Sequence, residues 1–124
     1  MVRMAQWTIP DSGVDGALRH VRQAVETLPG VEEVVHGGIG AAWEFRMSGR
    51  ELGHVHADGV VHVRLSRPER DLMVHAGMAR ELPHDRSGEW VEFRLQSASD
   101  AYAVVALLRR SHRYAHRQER LAAR

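Results

Sequence analysis

Residues 50–65 constrain the fold of this chain more than any other stretch. Two apolar-rich segments flank Asp58-Gly59, a dipeptide that is typical of a β-hairpin turn. Side chains alternate between the two faces of a strand, so Val61, Val63 and Leu65 would share one face. We therefore expect an antiparallel sheet organised around this hairpin, with those three side chains facing its core.

Three of the nine histidines lie in the hairpin, at His54, His56 and His62. Their placement depends on the length of the turn. With a two-residue loop, His54 and His56 would point into the core. With Ala57-Asp58-Gly59 as a three-residue loop and its glycine left-handed, His54 would lie opposite His62, and all three rings would face away from the core. We favour the longer loop, because two buried imidazoles would need partners that the neighbouring sequence does not supply.

Capping motifs and helical spacing predict three helices. Each begins at a serine that an acidic residue follows three positions later: Ser12 and Asp15, Ser66 and Glu69, Ser97 and Asp100. This pattern is the capping box or its acidic variant. The first helix would carry its apolar stripe as far as Leu28 and stop at Pro29-Gly30, and the second would stop at Gly77. Beyond Arg109 the last helix becomes basic.

Alternating apolar and polar residues predict the remaining strands. Residues 31–35 form one, and residues 78–84 are ambiguous, with an edge strand closed by Pro83 as one interpretation. Residues 41–47 and 89–95 form the other two predicted strands. Their core-facing residues would be Ala41, Trp43, Phe45 and Met47 in the first, and Val91, Phe93 and Leu95 in the second. The outward residues would be Ala42, Glu44 and Arg46, then Trp90, Glu92 and Arg94. This order predicts an α+β fold, in which an antiparallel sheet of about five strands has an N-terminal, a middle and a C-terminal helix packed on one face.

Length and composition exclude several classes of protein. A chain of 124 residues fits a single domain, which we place at 1–124 with its core at about 12–116. The absence of cysteine excludes disulfides, thiol catalysis and thiolate metal sites. No apolar run approaches the roughly 20 residues of a bilayer span, and the N-terminus has no signal peptide, so we expect a soluble cytoplasmic protein. A net charge of +1 gives no overall nucleic-acid signature.

On the favoured register, the outward face has the makings of a small-molecule site. Three uses of the histidines stay open. His54 or His56 would act as a general base, while arginine holds an anion and Trp90 stacks on a ring. Alternatively His54, His56 and His62 would bind a divalent transition metal. In the third interpretation they are solvated polar residues.

Two runs resemble a known family: Trp43-Glu-Phe-Arg46 and Gly49-Arg-Glu-Leu-Gly-His-Val-His-Ala-Asp-Gly59. They are similar to the luciferase-domain family of small bacterial and fungal proteins, to which the luciferases of luminous mushrooms are assigned. The resemblance covers most of residues 14–114. The positions that it marks as characteristic are Glu51, His54, His56, His84 and Trp90. The chain departs from the family pattern at His62, where members often carry an acidic residue, and at Arg64-Leu65.

The fungal members resemble oxygenases that act on a hydroxypyrone without metal or flavin. The resemblance therefore implies a small-molecule oxygenase or an acid–base enzyme acting on an aromatic or enolic substrate. It requires no cofactor, although a divalent metal remains open. The catalytic residues would be Glu51, His54 and His56. The substrate-binding residues would be His62, Arg64, His84, Trp90 and Arg46.

A binding module without catalysis is the alternative. Small α+β domains of this order are similar to the double-wing or YjbR-like group, and the basic terminal helix would then contact nucleic acid or an acidic partner. A mobility shift with duplex DNA that weakens steeply as salt rises would favour this alternative.

Overall fold

Three helices and six strands make up the computed structural model, which describes residues 13–38, 40 and 42–123. In chain order they are α1 (Gly13–Val25), β1 (Val31–His36), β2 (Ala42–Met47), β3 (Arg50–His56), β4 (Val60–Arg64), α2 (Arg67–His75), β5 (Arg80–Glu81), β6 (Trp90–Arg94) and α3 (Ala98–Ala122). The predicted cap at Ser12 and the inward position of Ala41 lie outside the described residues. None of the described helices combines the length and the apolar character that crossing a bilayer requires.

All six strands belong to one antiparallel sheet in the order β1-β2-β3-β4-β6-β5. The α+β prediction is confirmed. The sixth strand is the two-residue β5, which lies in the ambiguous segment 78–84 and pairs with β6 at the edge of the sheet.

The hydrophobic core lies between one face of the sheet and the helices. Helix α3 packs against α1 and against the central strands β3 and β4. The buried side chains of this core include Leu18, Val21, Val55, Val61, Val63, Met73, Val91, Leu95, Val104 and Leu108. The opposite face of the central strands carries the histidines, and none of the three described helices packs on it.

The hairpin turn adopts the three-residue loop, as predicted. Gly53 pairs with Val63 and His54 with His62, which leaves residues 57–59 as the loop. Gly59 has a φ of 95°, a conformation that glycine adopts without strain. Its carbonyl also accepts the N–H of Leu95 at 2.7 Å, and a Cβ at this glycine would lie 2.4 Å from the Leu95 carbonyl oxygen. The turn thus requires glycine at position 59 for two reasons, its dihedral angle and its close approach to the backbone that follows β6.

A β-bulge at Leu52 interrupts the alternation of β3. Phe45 pairs with Gly53 but Arg46 pairs with Glu51, so Leu52 is the extra residue. Leu52 and Gly53 are both buried. The carbonyl of Leu52 accepts a hydrogen bond at 3.0 Å from the hydroxyl of Ser111, a buried residue of α3. The bulge shifts the phase of the strand and turns Glu51 onto the face that carries the histidines.

One helix boundary and the burial of one residue differ from the prediction. Helix α1 ends at Val25 rather than Leu28, because the Leu28 N–H bonds to the Val25 carbonyl at 3.0 Å, an i→i−3 bond that tightens the last turn. Ala42 lies on the outward face, as alternation predicts, but it is buried, at 8% exposure. Its partners on the two neighbouring strands are His36 and His56, whose larger side chains shield a methyl group.

The two described serine caps behave differently. The Asp100 carboxylate accepts the N–H of Ser97 at 3.0 Å, as the capping pattern predicts. At the start of α2 only half of the predicted box forms, since the Ser66 hydroxyl accepts the Glu69 N–H. The Glu69 carboxylate instead accepts a hydrogen bond from Arg110 of α3 at 2.9 Å, a charged partner that ties α2 to α3.

Candidate functional site

The three hairpin histidines lie in mutual contact on the open face of the sheet. We call His54, His56 and His62 the histidine cluster. The ring centroids of His54 are 4.9 Å from those of His56 and of His62, and the other two centroids are 5.8 Å apart. His54 Nε2 lies 3.1 Å from His62 Nδ1. One ring nitrogen from each residue lies within 4.8 Å of one from each of the others, so the three rings form one compact group.

Two carboxylates hold the outer edges of the cluster. Glu51 Oε2 lies 2.5 Å from His54 Nδ1, and Glu92 Oε2 lies 3.2 Å from His62 Nε2. The side chains of these four residues are between 18% and 26% exposed. A continuous chain, Glu51–His54–His62–Glu92, therefore crosses strands β3, β4 and β6.

The outer hydrogen bonds determine what the inner nitrogens can do. A carboxylate only accepts, so each of the two rings donates the N–H of its outer nitrogen. In the neutral rings, His54 Nε2 and His62 Nδ1 would then present two lone pairs to each other at 3.1 Å. Two facing lone pairs repel each other, so the pair readily takes up a cation between the two nitrogens, either a proton or a metal ion. The hydrogen-bonded chain Glu51–His54–His62–Glu92 thus has a position for one positive charge between its two inner nitrogens.

His56 is the third ring and stays neutral more readily than an ordinary histidine. Burial, followed by repulsion from His54 and His62, lowers the pKa of His56 below its usual value. A neutral imidazole offers a lone pair to a proton or to a metal. His56 therefore adds an electron-pair donor beside the other two rings.

Comparison with known proteins gives one match. The model of the luciferase domain matches residues 49–111, just over half of the 124 residues. The chain belongs to the luciferase-domain family. No curated protein and no solved structure matches it. The matched segment contains the whole histidine cluster, its two carboxylates and Ser111.

Trp90 flanks the cluster in this luciferase-domain chain. Its ring centroid lies 6.2 Å from that of His54 at an interplanar angle of 46°. Asp85 fixes the backbone there, because its carboxylate accepts the Trp90 N–H at 3.1 Å and the Ser87 hydroxyl at 2.6 Å. Burial alone would raise the pKa of Asp85, but these hydrogen bonds outweigh it and hold that pKa below its ordinary value.

We expect Asp85→Asn to destabilise the turn before β6. An amide cannot accept all the hydrogen bonds that the carboxylate accepts, and loss of such a cap costs about 1 to 2 kcal/mol. Because the pKa of Asp85 is lower in the folded state, its contribution is present above the unfolded pKa and is lost as pH falls through the folded pKa. In denaturant unfolding, the variant should therefore have a lower free energy of unfolding than wild type near neutral pH. The difference between the two free energies should shrink below about pH 4. A difference that stays constant with pH would contradict this role.

The structure places the other predicted site residues at varying distances from the cluster. Arg64 pairs with Trp90 across the sheet and donates to Glu89 at 2.8 Å. Arg46 is bound to Glu44 and to the Gly49 carbonyl. His84 is exposed with a φ of 68°, and among the described residues no hydrogen bond or ring contact joins it to the cluster.

Sequence reasoning missed one residue and undervalued another. Ser111 lies on the apolar face of α3, where a small polar residue gives no signal until the bulge carbonyl that it binds is known. Glu92 was expected on the outward face, but nothing in its position indicated a bond to His62. Register pairing of β4 with β6, which places His62 opposite Glu92, supplies that information.

Proposed function

We propose that this chain is an enzyme that acts on an enolic or phenolic small molecule by generating and stabilising its oxyanion. The observation that carries the proposal is the row of hydrogen-bonded side chains Glu51–His54–His62–Glu92 on the face of the sheet opposite the helices. A cation fits between the two inner nitrogens of this row. Dioxygen is included as second substrate through the resemblance to the fungal oxygenases. The substrate class comes from the same resemblance and from the chemistry of the cluster.

The cluster suits this step because it can take up the proton that the substrate loses. The hydroxyl proton would move to the pair of inner nitrogens, His54 Nε2 and His62 Nδ1, which lie 3.1 Å apart and can share it. Glu51 and Glu92 would accept the outer N–H of each ring and so keep the two inner nitrogens directed at the shared proton. The substrate oxyanion would remain beside that positive charge.

The flanking residues would orient the substrate. Trp90 lies beside His54 and offers a face on which a planar ring can stack. Arg64 lies opposite Trp90 in the sheet register, and its guanidinium would hold an anionic substituent. His56 contacts both other rings and would act as the second acceptor of a proton. In this proposal Glu51 acts through His54 and is a positioning residue.

The test uses 4-hydroxy-6-methyl-2-pyrone and simple phenols as probes. We expect a probe to perturb the ring resonances of His54 and His62 in NMR spectra, and oxygen consumption to identify a converted compound. His54→Gln and His62→Gln should each lower turnover about 10²- to 10⁴-fold, the usual contribution of acid–base catalysis. His75→Gln, at the end of α2, is the matched control and should turn over like wild type. Unchanged turnover in a folded His54→Gln protein, or the absence of any probe effect on the cluster, would overturn the proposal.

A further inference from the structure

We propose that His54, His56 and His62 bind a single divalent transition-metal ion, with Glu51 and Glu92 as the residues that orient the ligands. This inference goes beyond the proposed function, and it rests on the geometry of the cluster alone. It places a metal ion where the proposed function places the substrate proton, so in the metal-bound protein the ion would hold the substrate oxyanion and the hydroxyl proton would leave to solvent.

The spacing of the inner nitrogens suits two ligands of one ion. Zinc lies about 2.0 to 2.1 Å from a histidine nitrogen, so two ligands of a tetrahedral site are about 3.3 to 3.4 Å apart, and the inner nitrogens need to separate by only a few tenths of an ångström to reach that spacing. His54 Nε2 and His62 Nδ1 are 3.1 Å apart. His56 has ring contacts but no hydrogen bond among the described residues, so its side chain can rotate to bring its nitrogen to the same ion. One ring nitrogen from each of the three histidines already lies within 4.8 Å of one from each of the others.

The outer contacts have the form that metal-binding histidines use. Such a histidine commonly donates its second ring N–H to a carboxylate, which sets the tautomer and the orientation of the ring. Glu51 accepts from His54 Nδ1 at 2.5 Å, and Glu92 accepts from His62 Nε2 at 3.2 Å. The ligating nitrogens are therefore specified as Nε2 of His54 and Nδ1 of His62.

Charge also favours a divalent ion over a proton. The two carboxylates bring two negative charges to a half-buried site, and one shared proton neutralises only one of them. Arg80 approaches Glu92 at 3.3 Å, but its side chain is 70% exposed and its charge is therefore well screened. A divalent ion between the two inner nitrogens would balance the negative charges of both carboxylates.

The ligand set indicates which metals fit. Three neutral imidazoles are borderline ligands that suit zinc, cobalt, nickel or copper, and hard oxygen-preferring cations such as magnesium are disfavoured. Three protein ligands leave at least one coordination position free. That position would face the open side of the sheet, where an oxygen of water or of a substrate oxyanion can bind.

The test is titration of the EDTA-treated full chain with Co²⁺ by calorimetry and visible absorption. We expect one Co²⁺ per chain, and a rise in Tm with metal concentration because the ion binds the folded state. His54→Gln and His62→Gln should each weaken binding by at least about 100-fold, since loss of a supporting carboxylate alone costs 10- to 100-fold. His75→Gln should bind like wild type.

A second measurement on the wild-type chain does not depend on the folding of any variant. Long-range ¹H–¹⁵N spectra with Zn²⁺ should show coordination through Nε2 of His54 and Nδ1 of His62. No saturable Co²⁺ binding, or zinc bound through the opposite nitrogens, would overturn the inference. Binding that survives in both cluster variants but is lost in His112→Gln/His116→Gln would also overturn it, by placing the metal on α3.

The outcomes separate this inference from the proposed function. Perturbation of the cluster by the hydroxypyrone in a chain that binds no Co²⁺ would leave the enzyme proposal standing and reject the metal site. Stoichiometric Co²⁺ binding without any effect of the pyrone or phenol probes would support the metal site and reject the proposed function.

Discussion

Gly53→Ala is expected to lower the free energy of unfolding by about 3 kcal/mol, at the upper end of the cost of overpacking. A Cβ at this position would lie 2.6 Å from the His62 carbonyl oxygen and 3.2 Å from the Val63 Cα. These are backbone atoms of the paired strand, so they can yield only if β3 and β4 move apart. A third contact, at 3.2 Å to Leu108 Cδ2, closes the other side. Separation of the strands would also pull His54 away from His62.

Denaturant unfolding measures the loss of stability in Gly53→Ala. Co²⁺ titration of the same variant measures the effect of moving His54 away from His62. Gly37→Ala is the matched control, because a Cβ there meets nothing within 4 Å and its φ is not positive. We expect the control to unfold like wild type. Equal stability of the Gly53 and Gly37 variants would show that β3 and β4 do not approach as closely at Gly53 as described here.

Glu51→Gln is expected to weaken Co²⁺ binding about 10- to 100-fold while leaving the fold intact. The carboxylate accepts the His54 Nδ1 proton at 2.5 Å and so directs Nε2 toward His62. An amide can donate as well as accept, so it would no longer hold His54 in one tautomer. The ring would then present the wrong nitrogen to the ion for part of the time.

Two readouts distinguish this positioning role from a structural one. The ¹⁵N shifts of His54 should show mixed tautomers in Glu51→Gln, and the Tm of the metal-free protein should change little because the pair is partly exposed. Glu33→Gln, which alters an exposed ion pair between β1 and α1, is the control and should bind Co²⁺ normally. A Glu51→Gln chain with a single His54 tautomer and unchanged affinity would contradict the assignment.

The register of the central hairpin was predictable because its causes are local. Asp58-Gly59 supplies the residue that tolerates the positive φ of a three-residue loop, and the alternation of Val61 and Val63 with His62 identifies the buried face. Those two facts leave two loop lengths open, and the cost of burying His54 and His56 without partners favours the loop that brings all three imidazoles together. The family resemblance added Glu51, whose contact with the cluster the sequence pattern alone did not indicate.

The bulge was not predictable from β3 itself. Strict alternation places Glu51 and His54 on opposite faces, because three residues separate them. The observed contact requires the extra residue at Leu52, and the carbonyl of Leu52 is satisfied by Ser111, 59 positions further along the chain. A strand pattern contains no information about a hydrogen-bond donor on a distant helix.

The sequence by itself thus determined the α+β class and favoured the three-residue loop that puts the three imidazoles on one face, since glycine dihedral preference, side-chain alternation and the cost of burying imidazoles act within a few residues. Only the tertiary structure decided which groups surround them. Glu51 reaches His54 through a bulge that α3 stabilises, and Glu92 reaches His62 from β6, 30 positions away. The position for a cation is created by those long-range contacts, because they determine which nitrogen of each ring faces the centre.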